Sequence, residues 1–369
     1  MNVREGIHLP TLEELAQCPI IDPSRIRQKL IGTSPEDTRR LWLEARRQTI
    51  GASDVPAIMG TSKYASAYSL WCDKAGLIPL DEEVLQHQMF GNLMEDPITK
   101  AFGMIHSNVG HMVDPMGIGI AHPSMPFNVV SPDRILFLDP KGSEALKIHD
   151  ISAIPWWIPT EIKNVSEYKK DAWGTAYIPE DYYDQVQNQL DAMGRPCSLL
   201  LALIGGNRLK VYTVWRDLLR CEEIRREVEA FKDSLERGEM PPPDDSDATT
   251  DAIIAMHGKT DGSEIPPSDE IVKWATAHIE ASEHIDVWEA KKVLAANTLR
   301  HILGDTQKVK HPLFSINFGN QNRTVVDKDE AAADEQLQAA IQVVEIMKSK
   351  HKKPVTIRVL KVTPSKAKN

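Results

Sequence analysis

The spacing of apolar residues changes character along the chain. From Ser34, the run SPEDTRRLWLEARRQ puts acids in a first turn behind a Ser cap and Arg, Leu and Trp further on, which predicts a capped helix. Gly51 breaks it, and ASDVPAIMG opens a new helix with Ser53 or Asp54 near its start. YSLWCDKAG predicts a helix that ends at Gly76. Another is expected from near Gly91 through LMEDPITKAFG, with Pro97 in its first turns. From about Gly110 the texture turns to short β-rich runs split by Pro and Gly: MGIGIAHP, FNVVSPDRILFLD and WIPTEIKNV. PEDYYDQVQNQLDAMG then places Tyr182, Val186 and Leu190 at helical spacing. CSLLLALIGGNRLKVYTVWRD reads as two strands around a Gly-Gly-Asn turn. CEEIRREVEAFKDSLERGEMPPP reads as a charged amphipathic helix stopped by Pro241, Pro242 and Pro243.

These elements divide the chain. Residues 1–35, with Pro10, Pro23 and Pro35, form a lead-in, and 36–243 form one α/β (α+β) core. Pro, Asp, Ser and Thr in PPPDDSDATTD mark a boundary, and 244–267 are expected to be a linker. Residues 268–369 form a mainly helical extension with a small β element. It holds a long amphipathic stretch over 268–304, the β-like runs PLFSINFG and RTVVD, the helix EQLQAAIQVVEIMKSK and the strand PVTIRVLKV. No internal repeat is present.

Composition narrows the function classes. A chain of 369 residues has room for one large core or two domains. No apolar run approaches the roughly 20 residues that cross a bilayer. The first residues carry no apolar stretch, so no secretory signal and a cytoplasmic location are expected. The four cysteines, Cys18, Cys72, Cys197 and Cys221, are scattered and form no CxxC pair. That argues against a zinc site or an iron–sulfur cluster and for free thiols. The net charge of -10 argues against a protein that coats nucleic acid, but not against an enzyme that grips it in one local basic channel. No GxSxG, HExxH or phosphate loop appears, which sets other hydrolase classes aside.

The chemistry-bearing segment is SPDRI…EIKN. Asp133 opens one β-rich run, and Glu161 and Lys163 stand at i and i+2 on another, so alternation puts those two side chains on one face. If the two strands are neighbours, all three converge. Carboxylates in an oxygen-rich pocket suit Mg²⁺ or Mn²⁺, which polarise a phosphodiester and activate water. The bland alternative is a surface Asp beside a salt-bridged Glu/Lys pair.

An acid after Ser-Pro followed by Glu-x-Lys resembles the PD-(D/E)xK nuclease signature. RRQTIGASDVPAIMG, GNLMEDPITKAF and DYYDQVQNQL resemble further segments of the lambda-exonuclease (YqaJ) family, in the family's order, over about residues 40–240. The resemblance implies a restriction-endonuclease-like core, a central mixed β-sheet flanked by helices. It implies a metal-dependent 5′→3′ exonuclease that degrades one strand of linear double-stranded DNA for phage-type homologous recombination, encoded by a phage or prophage in a bacterial host. It implies Mg²⁺, with Mn²⁺ as a substitute, held by Glu95, Asp133, Glu161 and the Ile162 carbonyl, and a Lys163 that orients water. Arg46, Ser53, Ser131, Tyr183, Gln185 and Gln187 are the implied DNA or phosphate contacts, the choice between the two glutamines staying open. A ring-like homotrimer and a single-strand annealing protein as partner are implied as well. The gap from Asp133 to Glu161 is longer than a tight hairpin needs, so the insert around KGSEALKIHDISAIPWW is expected to be an extended loop, with Trp156 and Trp157 in the core rather than stacked on bases. Lys169 and Lys170 are as well suited to solvent as to the DNA backbone. The extension is expected to pack on the core or a neighbouring subunit rather than dock DNA. The alternatives are a restriction-like or RecB-like endonuclease, separated by linear against closed circular DNA, and a catalytically inactive DNA-end-binding protein, separated by metal-free binding against metal-dependent cleavage.

Overall fold

The computed structural model describes residues 23–27, 33–80, 85–115, 117–138, 157–175, 177–260, 262–320, 328–352, 360 and 362. The chain clusters into two compact units, residues 1–256 and 257–369. The first unit carries the chemistry. It begins with strand β1 (Ile26–Arg27) and helix α1 (Pro35–Arg47), whose cap is the expected one: the Ser34 hydroxyl accepts the Asp37 N–H at 3.1 Å. A 3-10 turn at Ala52–Asp54 leads into the short helix α2 (Val55–Ile58), and α3 (Ala67–Lys74) follows.

Helix α4 (Gln86–Ile105) starts earlier than its sequence signals suggest, and Pro97 lies well inside it rather than in its first turns. Proline gives no N–H to the carbonyl of Leu93, four residues back. Leu93 is exposed, so the interrupted turn faces solvent instead of the core.

The strands β2 (Gly110–Val113), β3 (Gly119–Ala121), β4 (Val129–Val130), β5 (Arg134–Leu138) and β6 (Trp157–Val165) come next. Helix α5 (Glu180–Met193) ends at Gly194, whose φ of 65° is the left-handed conformation that glycine adopts without penalty. The hairpin of β7 (Cys197–Ile204) and β8 (Arg208–Trp215) leads to helix α6 (Leu218–Arg237).

A mixed five-stranded sheet, ordered β2-β5-β6-β7-β8, is flanked by helices. Only β6 and β7 run parallel. A parallel pair needs a long crossover, and here it contains α5. Alternation along β7 splits the core. Leu199 and Leu201 meet Ile98 and Phe102 of α4 on one face, whereas Leu200 and Ala202 meet Val186 and Leu190 of α5 on the other. With both faces covered, β7 reads as a continuous apolar run. β1, β3 and β4 make a small separate sheet. Trp157 is buried under the Arg195 guanidinium at 3.3 Å, in keeping with its expected core role. Trp156 and most of the preceding insert lie outside the described residues, as do the RTVVD and PVTIRVLKV runs and Cys18. The described cysteines Cys72, Cys197 and Cys221 are free and buried.

The stretch expected as a linker holds helix α7 (Asp247–Met256). Ala252, Ile253 and Met256 pack against Tyr68 and Cys72 of α3. The apolar residues of DAIIAM outweigh the acidic, proline-rich approach to them, so the first unit extends to Met256. The second unit contains α8 (Asp269–Leu303), capped by Ser268, the hairpin β9 (Lys308–His311) and β10 (Phe314–Asn317), and the helices α9 (Lys328–Ala333) and α10 (Glu335–Lys350). Among the described residues no helix is long and apolar enough to cross a membrane.

A buried polar clamp ties α5 to its surroundings. Asp191 receives hydrogen bonds from His122 Nε2 at 3.1 Å, from Arg225 at 2.5 Å and from Arg216. The Ser124 N–H donates to His122 Nδ1, which leaves the proton on Nε2 to point at Asp191. Burial alone raises the Asp191 pKa, but these three donors outweigh it and hold it at about 2. A carboxylate depressed in the folded state stabilises above its unfolded pKa and loses that contribution as pH falls through the folded value. The stability gap between wild type and Asp191→Asn should therefore shrink by about 2 kcal/mol from about pH 5 to about pH 2, read by urea unfolding. A gap independent of pH would show that the clamp carries no net charge energy.

Candidate active site

Antiparallel pairing places Arg134 of β5 opposite Thr160 of β6. Asp133, one residue before the paired stretch, therefore arrives beside Glu161, one residue beyond it. The ladder ends there, and the Ile162 N–H, with no strand to meet, donates to Asp133 Oδ2 at 2.7 Å. In a strand, the N–H and C=O of one residue leave on the same side. The Ile162 carbonyl thus faces the same edge as Asp133. Glu161 and Lys163 share a face, as alternation requires, and the Lys163 ammonium donates to Glu161 Oε1 at 2.5 Å. That face is covered by α5. Gln185 donates to Glu161 Oε1 at 2.6 Å and Gln189 to Glu161 Oε2 at 2.7 Å. Glu161 is only 2% exposed, so a buried carboxylate has cationic or amide donors on both oxygens.

The electrostatics are those of crowded acids. Burial pushes the Asp133 carboxyl well above the usual range, the charges of Glu161 and Glu95 push it further, and Lys163 and the Ile162 N–H pull it partly back. Burial likewise raises Glu95, which Arg134 pulls down. Burial disfavours the Lys163 ammonium, yet Glu161 and Asp133 outweigh that, and its pKa lies above the ordinary lysine value. Lys163 is thus a cation throughout the neutral range. Its ammonium sits 5.0 Å from the Tyr182 ring centroid.

Glu95 on α4 belongs to this crowd but is drawn to Arg134, whose guanidinium reaches Glu95 at 2.9 Å and Asp96 at 2.6 Å. Among the described residues no three His, Cys, Asp or Glu side chains stand as a ready-made metal cluster. The donors that converge are Asp133, Glu161 and the Ile162 edge.

A second polar group lies where the Ala52–Asp54 turn packs between α5 and β4. Ala52 touches Val130, Ala192 and Met193. Arg46, half exposed at the end of α1, donates to Ser53 Oγ at 3.1 Å and to Asp54 at 2.8 Å. Lys74 also meets Asp54, at 2.7 Å. Burial raises the Asp54 pKa, but Arg46 and Lys74 outweigh it, and the carboxyl stays ionised. Two cations against one anion leave a positive surplus beside the exposed Ser53 hydroxyl.

Residues 41–195 match the model of the YqaJ-like viral recombinase domain. A relative from Bacillus subtilis (strain 168), the uncharacterized protein YqaJ, is 28% identical over 244 residues, which are 64% of this chain and 69% of that one. The crystal structure of an alkaline exonuclease from Laribacter hongkongensis aligns with a TM-score of 0.41 at 20% identity, covering 54% of this chain and 94% of the other. The same enzyme in complex with dAMP aligns equally, at 0.41 and 20%, over the same shares. Those figures are too low to carry residue roles between chains. The matched stretch runs from α1 to the residue after α5's glycine cap, so it includes the Arg46–Ser53 pair, Glu95, Asp133, Glu161, Lys163 and both α5 glutamines that reach Glu161.

Within this stretch the structure separates the expected contacts. Gln185 reaches the carboxylates and Gln187 does not. Gln187 is fully buried, its amide donating to the Trp215 carbonyl at 2.8 Å and accepting the Asp217 N–H at 2.8 Å. It closes the corner between β8 and α6, which removes it from the DNA-contact set. Tyr183 also turns from the acids: its hydroxyl donates to Asp217 at 3.2 Å, and burial and Asp217 push it up to about 12. The tyrosine facing Lys163 is its neighbour Tyr182. Ser131 is exposed and donates its hydroxyl to the Ile118 carbonyl at 2.9 Å, so its oxygen alone remains to accept. The sequence reading missed Tyr182, Gln189 and Arg134. The first two were findable, because residues 182, 185 and 189 recur at helical i, i+3, i+7 spacing, on which 183 and 187 fall off the face. Arg134 had no signal beyond its place next to Asp133.

The two glutamines should respond differently to truncation. Gln187→Ala leaves buried backbone groups unpaired and should cost about 1–3 kcal/mol in urea unfolding. Gln185→Ala, with Lys163 and Gln189 still on Glu161, should cost under about 1 kcal/mol. The reverse order would contradict the assignment of faces.

Proposed function

We infer that the protein is a divalent-metal-dependent deoxyribonuclease that shortens one strand of linear double-stranded DNA from its 5′ end. The observation that supports this best is the meeting of Asp133, Glu161 and Lys163 at the open end of the β5–β6 ladder. The match of residues 41–195 to the YqaJ-like viral recombinase domain agrees with it.

The residues fit a divalent ion. Burial and like charge push Asp133 upward, a sign that this cluster lacks positive charge. Mg²⁺ is commonly held by one or two carboxylates with waters and substrate phosphates, not by an all-protein cage. Asp133, Glu161 and the Ile162 carbonyl would hold it, and Glu95 would join on leaving Arg134. When bound, such an ion polarises the scissile phosphate and lowers the pKa of water.

The chain's own side chains do the rest. Lys163, whose ammonium is hydrogen-bonded to Glu161, orients the attacking water and offsets phosphate charge. Gln185 and Gln189 fix the Glu161 carboxylate. Arg46 and Ser53, with their local positive surplus, hold a phosphate. At the 5′ terminus such a hold would place the first internucleotide bond over the acids. A homotrimer and an annealing-protein partner remain part of this reading on resemblance alone.

Lys163→Ala and Glu161→Gln should each cut Mg²⁺-dependent nucleotide release from end-labelled linear duplex by roughly 10²–10³-fold or more. Closed circular DNA should survive, and chelation should stop digestion. Mg²⁺ should raise the melting temperature of wild type but not of Asp133→Asn. Full activity in either single variant would sink the assignment.

Replacing the 5′ phosphate by a hydroxyl should slow wild-type digestion by about 10–100-fold, the worth of charged hydrogen bonds. Arg46→Ala should digest both ends at the same reduced rate. A wild-type rate indifferent to the end group would remove the phosphate role.

A further inference from the structure

Beyond Lys163 the chain leaves β6 into a 3-10 segment, Glu167–Ala172, that presents unusual surface. Tyr168 is 97% exposed and Tyr64, on the neighbouring loop after α2, is 64% exposed. Lys169, next in sequence to Tyr168, donates its ammonium to the Tyr64 hydroxyl and lies 4.7 Å from that ring's centroid. Nothing in the core explains a ring this bare: a tyrosine contributes stability by burial.

The segment is nevertheless held firmly. Glu167 receives Lys170 at 3.1 Å and also pairs with Arg208 of β8. The β7–β8 turn closes over it so tightly that a Cβ on Gly205 would stand 2.5 Å from the Glu167 carboxylate, and Gly205 has φ of +61°. At its far end, Lys210 and Tyr212 donate to the Gly174 carbonyl at 3.3 and 2.8 Å, and Lys210 donates to Trp173 at 2.8 Å. Exposed rings on an anchored support are a surface, not a frayed loop.

That surface continues into the candidate active site. Tyr182 stacks on Trp173 with centroids 5.3 Å apart and carries Lys163 over its ring at 5.0 Å. It also lies within electrostatic reach of Lys169 and Tyr64. Aromatic rings and ammonium groups therefore run from the carboxylates outward. The hydrogen bond to the Tyr64 hydroxyl, with a smaller share from Asp181, raises the Lys169 pKa above the usual lysine value.

We propose that Tyr64, Tyr168 and Lys169 form a binding surface for unpaired DNA, stacking bases on the two rings and pairing a phosphate with the ammonium. Flat exposed rings beside cations suit single strands, because an unpaired base offers a π-face that a stacked duplex keeps hidden. The duplex interior gives such rings nothing to stack on, whereas a nuclease that removes one strand leaves the other unpaired beside its site. The identity of the ligand as DNA rests on the function proposed above; the aromatic–cationic surface itself does not.

The test uses the full chain without divalent metal. Anisotropy of fluorescein-labelled oligothymidine and of a blunt duplex is measured for wild type, Tyr64→Ala, Tyr168→Ala and Lys169→Ala. Each alanine variant should bind oligothymidine about 5- to 100-fold more weakly, a loss typical of one stacked base or contact. Tyr64→Phe and Tyr168→Phe should bind as wild type, since the ring remains. Melting temperatures should not move, because the side chains are exposed. Duplex affinity should change far less. Wild-type oligothymidine affinity in the alanine variants, or an equal loss for duplex, would overturn the surface. Cleavage of linear duplex with Mg²⁺, run in parallel on wild type, separates the two claims. A wild type inert with metal but sensitive to these substitutions in binding would sink the nuclease and keep the surface. An active wild type with insensitive variants would do the opposite.

Discussion

The placement of Glu161 inside the sheet governs the rest of this molecule. A carboxylate with 2% exposure must find donors or surrender its charge. The fold supplies Lys163 two residues along the same strand and two glutamine amides from the helix above. Asp133, a few ångströms along the edge, receives one backbone N–H and the unfavourable field of its neighbours. The difference between these two acids defines the site. One is fully served by the protein, and the other is left short of positive charge.

That arrangement explains the topology around it. Bringing Asp133 to Glu161 requires an antiparallel β5–β6 register that stops at Arg134–Thr160, so that the next backbone N–H is free to bind a side chain. Bringing the amides requires a helix over the same face, and the parallel β6–β7 step obliges the chain to make a crossover there. Arg134, the first paired residue of β5, then draws Glu95 and Asp96 of α4 to the same edge. Three segments distant in sequence thus meet because one short ladder ends where it does. The buried clamp of His122, Arg216 and Arg225 on Asp191 anchors the far end of the helix that carries the amides. A shift of α5 would cost the clamp and the Glu161 contacts together.

Much of this could be read from the chain because local rules and the global fold agree. Tyr182, Val186 and Leu190 lie at helical spacing, and Val186 and Leu190 are buried where that spacing puts them. The ExK pair shares a face because strands alternate, whatever the tertiary context. What could not be read depends on partners supplied from afar. Gln185 and Gln187 look equivalent in sequence, and only the positions of β6 and of the β8–α6 corner decide which meets an acid. The strand at Gly110–Val113 escaped the sequence reading because GHMV carries too little alternation; its pairing with β5 makes it a strand. The start of α4 was hidden by Gly91 and Pro97, both signals of interruption, which packing of Ile98 and Phe102 against the sheet overrides. The proline-rich stretch before α7 looked like a linker because its polar half precedes the apolar residues that dock on α3.

The net charge of -10 finds its place in this picture. An acidic chain repels DNA at a distance, so any hold on a phosphate must come from charges arranged at short range. Arg46 and Lys74 against the single Asp54 make one such place, with a hydroxyl at its rim. Lys169 beside two bare tyrosines makes another. The crowded acids Asp133 and Glu161 are a place of the opposite kind, where a phosphate alone would be repelled. A polyanion would, on the proposed reading, meet that centre in company with a divalent cation, which would satisfy the carboxylates and the backbone phosphate at once. On the proposed reading, the same crowding that strains Asp133 makes binding of metal and of nucleic acid interdependent. Metal would then draw a strand onto the acids where it can be cut, whereas the exposed surface at Lys169 needs no metal to hold unpaired DNA.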